Sequence, residues 1–101
     1  MSTFAQSLAE SRRLFTLRLL VEGGGSVNES VLFKHARRGG FPLTTEDDLK
    51  ADLRKMEKHG LIRDEWLNEN VRVIHITTRG TDCAYGRLEI EGIEQSIWDR
   101  D

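Results

Sequence analysis

The sequence lacks most of the features that are typical of disulfide-stabilised, metal-binding and membrane-embedded proteins. Cys83 is the only cysteine, so the chain can form no internal disulfide and no site with four cysteine ligands. No apolar run approaches the roughly 18 residues that a membrane-spanning helix needs. The first ten residues also lack the basic-then-apolar order of a signal peptide. One thiol suits a reducing compartment, and we expect a cytoplasmic protein that contacts no membrane.

The sequence is rich in charged residues, and these residues are unevenly distributed along the chain. Charged residues make up 32% of the 101 residues and apolar residues 38%, a composition typical of one globular domain. The net charge of −2 gives no overall attraction to nucleic acid or to anionic lipid. Residues 1–60 carry ten basic and eight acidic side chains, whereas residues 88–101 carry one and five. We therefore divide the chain into a domain over 1–87 and an acidic C-terminal tail over 88–101.

The clearest helix lies within the stretch from Thr44 to Ile62. Thr44 or Thr45 can cap its start, and a carboxylate three residues after each resembles the pattern of a capping box. Apolar residues then recur at spacings of four and three, which indicates one buried helix face. These residues are Leu49, Leu53 and Met56. Gly60 suits the position just after the helix, so we predict a helix over 44–59.

Two earlier helices are predicted over Phe4–Glu22 and from Asn28 to about Arg38. Asn28 suits an N-cap position, and glycines follow both helices. Beyond Leu14 the apolar residues of the first helix point in nearly every direction, so we expect this helix to be covered on two sides. Its second cover is either a partner copy, which gives a homodimer through helix 4–22, or the C-terminal tail folded back over it.

The connector between the second and third helices is short and apolar. Pro42 biases Phe41 away from helical dihedral angles, so the second helix cannot run on into the third. Phe41 and Leu43 are expected to fill the core between these two helices.

After Gly60 the apolar period changes from about 3.6 to 2, which indicates strands. A β-hairpin is predicted from strands over 61–66 and 71–76, joined by a turn over 67–70. A lone hairpin is marginally stable in water, so this one must pack on the helices. The residues expected to make that packing are Trp66, Val73 and Ile74.

The predicted order is three helices, a hairpin and a short helix from about Arg79 to Tyr85. The tail is expected to be partly extended, with a short helix near Glu91 to Trp98. This order is typical of an α+β, mainly α, fold, the winged helix-turn-helix: a three-helix bundle with a two-stranded β-hairpin wing and a short C-terminal helix. The second helix of such a turn motif usually enters the major groove of DNA, which makes helix 44–59 the candidate recognition helix.

Four motifs carry a resemblance to a known family. They are Leu-Arg-x-Leu at 17–20, Asn-Glu-Ser at 28–30, Leu-x-x-Asp-Leu-x-x-Met-Glu-x-x-Gly-Leu-Ile at 49–62 and Ile-Thr-x-Arg-Gly-x-Asp-x-Ala-x-Gly-Arg at 76–87. With them, the chain from about Arg12 to Glu94 resembles small winged-helix proteins of Mu-like phages and prophages. The hairpin ends are more loosely similar to the wings of bacterial repressors of the arsenic-sensing and multiple-antibiotic-resistance types.

The resemblance implies a winged-helix fold and a regulator-like role in a bacterial host, although those phage proteins have no firmly assigned role. Residues 92–95, Gly-Ile-Glu-Gln, depart from the Pro-containing tails of the family. The resemblance therefore implies nothing for the end of this chain.

Several basic residues are candidates for contact with double-stranded DNA. If the apolar stripe faces inward, Arg54 and Lys58 share the outward face of the third helix, with Lys50 at one flank. The basic end of the second helix either compensates the helix dipole or faces phosphate. The candidate DNA-binding residues are Arg37, Arg38, Thr45, Lys50, Arg54, Lys58 and Arg72.

Acidic residues oppose this DNA hypothesis. Recognition helices usually read bases from their N-terminal residues, and here that end carries Glu46, Asp47 and Asp48. A second hypothesis therefore stays open: a winged-helix protein–protein interaction module in phage development that binds no DNA. It would use the apolar excess of the first helix, the acidic tail or the acidic start of the third helix.

No arrangement in the sequence indicates an enzyme. His35, His59 and His75 lie on separate predicted elements without the spacing of metal ligands. Cys83 has no histidine near it in sequence, and a small buried thiol is the default for such a residue. We predict no catalytic residues, no metal and no cofactor.

Overall fold

The computed structural model describes residues 3–98 as an α+β fold, about half helical, which confirms the predicted class. Within this range it has four helices and three strands. They are α1 (Phe4–Glu22), β1 (Ser26–Asn28), α2 (Glu29–Arg38), α3 (Glu46–Lys58), β2 (Ile62–Asn68), β3 (Val71–Ile76) and α4 (Thr78–Ala84).

The sheet has three antiparallel strands in the order β1-β3-β2. The predicted hairpin is present as β2 and β3, and β1 adds a third strand that was not predicted. β1 is only three residues long and pairs Val27 with Ile74 of β3. A strand of three residues is too short to show the alternation of apolar and polar residues that marks strands in a sequence. It forms because the edge of β3 is available for pairing. β2 runs past its predicted end to Asn68, and its register shifts between Trp66 and Asn68, which leaves Leu67 in a bulge.

Both ends of α3 follow the sequence prediction. The Thr45 hydroxyl accepts from the Asp48 backbone N–H at 3.0 Å, and the Asp48 carboxylate accepts from the Thr45 N–H at 2.9 Å. At the other end Gly60 has φ +73°, and the Leu61 N–H donates to the Met56 carbonyl at 2.9 Å. This Schellman motif turns Leu61 into the core, where it is fully buried.

The capping box of α3 predicts a pH-dependent contribution to stability. The Thr45 N–H holds the pKa of Asp48 below its ordinary value, so this stabilisation is present above the unfolded pKa and is lost as pH falls through the folded pKa. Asp48→Ala should lower the free energy of unfolding by about 1 kcal/mol at neutral pH and by almost nothing near pH 2. Urea unfolding at the two pH values measures this difference. Glu46→Ala, in the same turn but outside the cap, should show a smaller effect at neutral pH, and an equal one would contradict the capping role.

The core lies where α1 crosses the other helices and the inner face of the sheet. Ile74 is fully buried as predicted, but Trp66 is 56% exposed, so its predicted packing against the helices was wrong. The α1 side of the core consists of Leu14, Leu17 and Leu20. Cys83 is also buried, and burial raises the pKa of its thiol.

The C-terminal segment folds back over α1. Its carbonyl at Gly92 accepts from Arg13 at 2.9 Å, and the Ser96 hydroxyl accepts from Arg18 at 3.0 Å. Ile90 and Ile93 are buried in the core. Of the two alternatives predicted to cover α1, a partner copy or the C-terminal tail, the tail covers the middle and end of the helix.

No helix forms between Glu91 and Trp98, so the short helix predicted there was wrong. Gly92 has φ +90°, which a right-handed helix does not allow. The Glu94 N–H donates to the Glu10 carbonyl of α1 at 3.2 Å instead of to a carbonyl of its own segment.

A buried ion cluster joins α1 to α3. Asp52 is fully buried and accepts two hydrogen bonds from Arg12, at 2.5 and 3.1 Å, and one from Arg13 at 2.9 Å. The bonds to the Asp52 carboxylate raise the pKa of Arg12 above its ordinary value. Because this one carboxylate of α3 binds two guanidinium groups of α1, it helps to fix the position of the two helices relative to each other.

The Thr77–Gly80 segment clamps the end of α3 to the start of α4. The Thr77 hydroxyl donates to the Gly60 carbonyl and Arg79 donates to the His59 carbonyl, both at 2.7 Å. A Cβ at Gly80 would overlap the Leu61 carbonyl oxygen. The motif that carries part of the family resemblance therefore has a packing role in this chain.

Within residues 3–98, no helix combines the length and the apolar character that crossing a membrane requires.

Candidate nucleic-acid interface

Two grooves meet on the surface formed by α2 and α3. The first, of about 270 Å³, is lined by Glu29, Ser30 and Phe33 of α2 and by Glu46, Leu49 and Lys50 of α3. The second, of about 420 Å³, continues from Ser30 and Phe33 toward the basic end of α2 and Pro42. We call the cations along this surface the α2–α3 face. They are Lys34, Arg37, Arg38, Lys50, Arg54 and Lys58.

All six side chains of the α2–α3 face are exposed. Within residues 3–98 none of them takes part in an ion pair shorter than 4 Å. Arg37 is the most constrained, because its Nε donates to the Pro42 carbonyl at 3.1 Å and its guanidinium lies 5.7 Å from the Phe33 ring centroid. The other cations can reach toward solvent, where a phosphate backbone would lie.

Arg72 is placed differently from the other candidate residues. Its side chain is 14% exposed and forms ion pairs with Glu29 at 2.7 Å and with Asp64 at 2.9 Å. The hydrogen bond from Arg72 lowers the pKa of Asp64 below its ordinary value. Arg72 therefore ties the hairpin to the start of α2, and in this arrangement its charge is neutralised within the chain.

Thr45 occupies the N-cap of α3, where its hydroxyl oxygen accepts from the Asp48 backbone N–H. The hydroxyl proton of an N-cap threonine stays available for donation to an external acceptor. Thr45 is exposed, so a phosphate oxygen could approach it.

The acidic residues around the α2–α3 face divide into two groups. Asp48, Glu29 and Asp64 accept hydrogen bonds from partners in the chain. Glu46, Asp47 and Glu57 are exposed on α3. Glu46 and Asp47 lie in its first turn, where the helix dipole favours their negative charge. Glu57 lies seven residues after Lys50 and therefore on the same side of the helix. These three carboxylates would repel a polyanion.

Lys34 lines the second groove with Arg37 and Arg38. It belongs to the basic end of the second helix, for which the sequence leaves dipole compensation and a phosphate-facing role open, but it was not among the candidate DNA-binding residues. The signal was present in the sequence, because residues three and four apart share one side of a helix.

A hydrogen-bonded row crosses the outer face of the sheet. The Ser26 hydroxyl lies 2.6 Å from Nδ1 of His75, whose Nε2 lies 2.9 Å from the Glu65 carboxylate. The order hydroxyl, imidazole, carboxylate also occurs in hydrolases, but none of the three side chains lines a groove described above. The row links one side chain from each of the three neighbouring strands, and cross-strand polar pairs of this kind stabilise sheets.

In the described part of the chain, no group of three or more His, Cys, Asp and Glu side chains is placed to hold a metal ion.

Comparison with known proteins finds a similarity that assigns no function. No family model matches the chain, and no solved structure matches it. An uncharacterised protein of Haemophilus influenzae (strain ATCC 51907 / DSM 11121 / KW20 / Rd) is 29% identical over 82 residues. The matched region covers 81% of this chain and 79% of that protein.

Proposed function

We propose that this chain is a winged-helix DNA-binding protein, a transcriptional regulator of a phage or prophage that acts in the cytoplasm of the bacterial host. In this proposal α2, the connector and α3 are the helix-turn-helix, and β2 and β3 are the wing. The order of these elements supports it, as does the resemblance of the sequence to winged-helix proteins of Mu-like phages.

The α2–α3 face carries this proposal. Six exposed cations without ion pairs in the described chain lie on α2 and α3, and four of them line the two adjoining grooves. Phosphate contacts supply most of the non-specific affinity of DNA-binding proteins, because cationic side chains displace the counterions condensed on the DNA. Glu29 and Asp64 beside the face form ion pairs with Arg72, which reduces the repulsion that the sequence alone suggests.

The proposed approach differs from that of most recognition helices. Glu46 and Asp47 disfavour insertion of α3 by its N-terminal end. Lys50, Arg54 and Lys58 follow one another at four-residue spacing and can track one phosphate backbone. The cations at the end of α2 then meet a neighbouring stretch of the same duplex.

The test is the salt dependence of binding to a mixed-sequence duplex, measured by fluorescence anisotropy. The substitution Arg54→Gln should weaken binding at low salt and reduce the slope of log K against log salt by about 1, roughly one unit per phosphate contact. Arg87→Gln removes the same charge after α4, away from the α2–α3 face, and should leave the slope unchanged.

Two results would contradict the proposal. One is the absence of DNA binding by the native chain at low salt. The other is an equal loss of slope in Arg87→Gln, which would show that binding follows net charge and not the α2–α3 face.

A second candidate function, a protein–protein interaction module that binds no DNA, is favoured by the tip of the hairpin. Trp66 and Leu67 are 56% and 60% exposed there, and Glu65 and Glu69 flank them. Apolar side chains surrounded by carboxylates suit a basic protein surface better than a phosphate backbone. Retention of the chain on immobilised DNA at low salt separates the two candidates.

A further inference from the structure

An apolar ridge and an apolar groove lie side by side at the start of α1. Phe4 and Leu8, one turn apart on the helix, are 81% and 38% exposed. The groove, of about 180 Å³, is lined by Leu8 together with Phe41, Pro42 and Leu43 of the connector, and Leu43 is 89% exposed. We call these five residues the α1–connector patch. The prediction that Leu43 fills the core was wrong.

The ridge of this patch is an ordered helix. The Thr3 hydroxyl accepts from the Gln6 backbone N–H at 3.1 Å, and the Gln6 side chain accepts from the Thr3 N–H at 2.7 Å. This capping box fixes the first turn of α1, although Phe4 in that turn is almost fully exposed. The apolar ridge is therefore presented in a defined conformation.

The groove of the patch is equally well fixed. The Thr44 hydroxyl donates to the Phe41 carbonyl at 2.7 Å, and the Phe41 ring lies 5.6 Å from the Phe15 ring of α1. The connector is thus anchored through Phe41, while Leu43 projects from it. A preformed groove lowers the entropy that an incoming side chain must overcome on binding.

The charges around the patch favour an uncharged occupant. Residues 4–9 contain no charged side chain, in a chain of which 32% is charged. The ionised groups that border the groove are Arg12 and Asp48, and both have partners in the chain: Arg12 binds Asp52, and Asp48 caps α3. Covering the patch therefore buries no unpaired charge, whereas an acidic or basic partner would find no complementary charge to bind.

We propose that the α1–connector patch is the interface of a homodimer, with the ridge of each copy seated in the groove of the other. A two-fold interface requires one surface that is complementary to itself, and a ridge beside a groove of similar apolar character meets that requirement. Residues 88–98 cover the later part of α1, so the interface is confined to its first two turns and the connector.

Analytical ultracentrifugation of the full chain over about 1 to 200 µM tests the proposal. The native chain should form a dimer in this range. Leu43→Glu should raise the dimer dissociation constant by at least about 100-fold, because the symmetry removes two buried leucines and introduces two carboxylates. Val31→Glu is the matched control, since Val31 is 41% exposed on α2, outside the patch, and the dissociation constant of this variant should equal that of the native chain.

A monomeric native chain across the whole range would overturn the proposal and assign the patch to another partner. Dimers of Leu43→Glu as tight as the native ones would also overturn it, as would a loss of dimers in Val31→Glu. The substituted positions are exposed, so native-like thermal unfolding of each variant monomer confirms the fold. The measurement contains no DNA, so its outcome is independent of the proposed DNA-binding function.

Discussion

Asp52→Ala is expected to lower the free energy of unfolding by about 4 kcal/mol, the largest effect of any single substitution considered. The carboxylate is fully buried and binds both Arg12 and Arg13. Its removal leaves the Arg12 side chain, which is 10% exposed, without its hydrogen-bonded counter-charge. A buried charge that loses its partner costs far more than a broken surface ion pair, whose contribution is about 0–1 kcal/mol.

Urea unfolding followed by circular dichroism measures this loss. Asp47→Ala, an exposed acid on the same helix, serves as the control and should cost about 0.5 kcal/mol through the helix dipole. A loss for Asp52→Ala no larger than that of the control would show that the ion cluster does not stabilise the packing of α1 on α3.

Gly80→Ala is expected to lower the free energy of unfolding by about 3 kcal/mol. The added methyl group would overlap the Leu61 carbonyl oxygen, and that oxygen is held by a 3.0 Å hydrogen bond from the Thr77 N–H. The Ile76 side chain also lies within the space of the new Cβ. Since the Leu61 carbonyl belongs to the backbone, α4 must move away from the sheet to make room.

The control for Gly80→Ala is Thr78→Ala, an exposed position on the same helix, which should change stability by less than about 0.5 kcal/mol. Thermal unfolding of both variants tests the prediction. A Gly80→Ala variant as stable as the native chain would show that α4 packs with more freedom than the clamp at Thr77–Gly80 allows.

The sequence predicts the elements whose signals are local. The bounds of α1, α2 and β3 agree with the prediction to within a residue, because caps, glycines and apolar periods lie inside or beside each element. The bounds of α3 agree to within two residues for the same reason. β1 was missed because three residues carry no period, and its only cause is the free edge of β3.

The interactions that escape sequence analysis are those that join distant elements. The neutralisation of Arg72 needs Glu29, 43 residues away, and Asp64 across the hairpin. Asp52 gave a partial signal: it lies three residues after Leu49 and four before Met56, on the apolar stripe. A charged residue at such a position predicts a buried partner, but only the fold shows that the partners are Arg12 and Arg13.

The sequence predicts which cations belong to the candidate DNA interface, but not how they are arranged in space. The cations of α3 are visible as a four-residue series, and those of α2 as a cluster before two glycines. Lys50 of α3 and three cations of α2 line adjoining grooves that share Ser30 and Phe33, and this arrangement depends on how the two helices are placed in the fold.

The most direct test of the central proposal is an NMR titration of the ¹⁵N-labelled chain with duplex DNA at low salt. Contact through the α2–α3 face predicts that amide resonances of residues 34–38 and 50–58 shift together, while those of residues 88–98 stay in place. Unchanged spectra at a several-fold excess of DNA would contradict the proposal, and so would shifts confined to the hairpin or to the α1–connector patch.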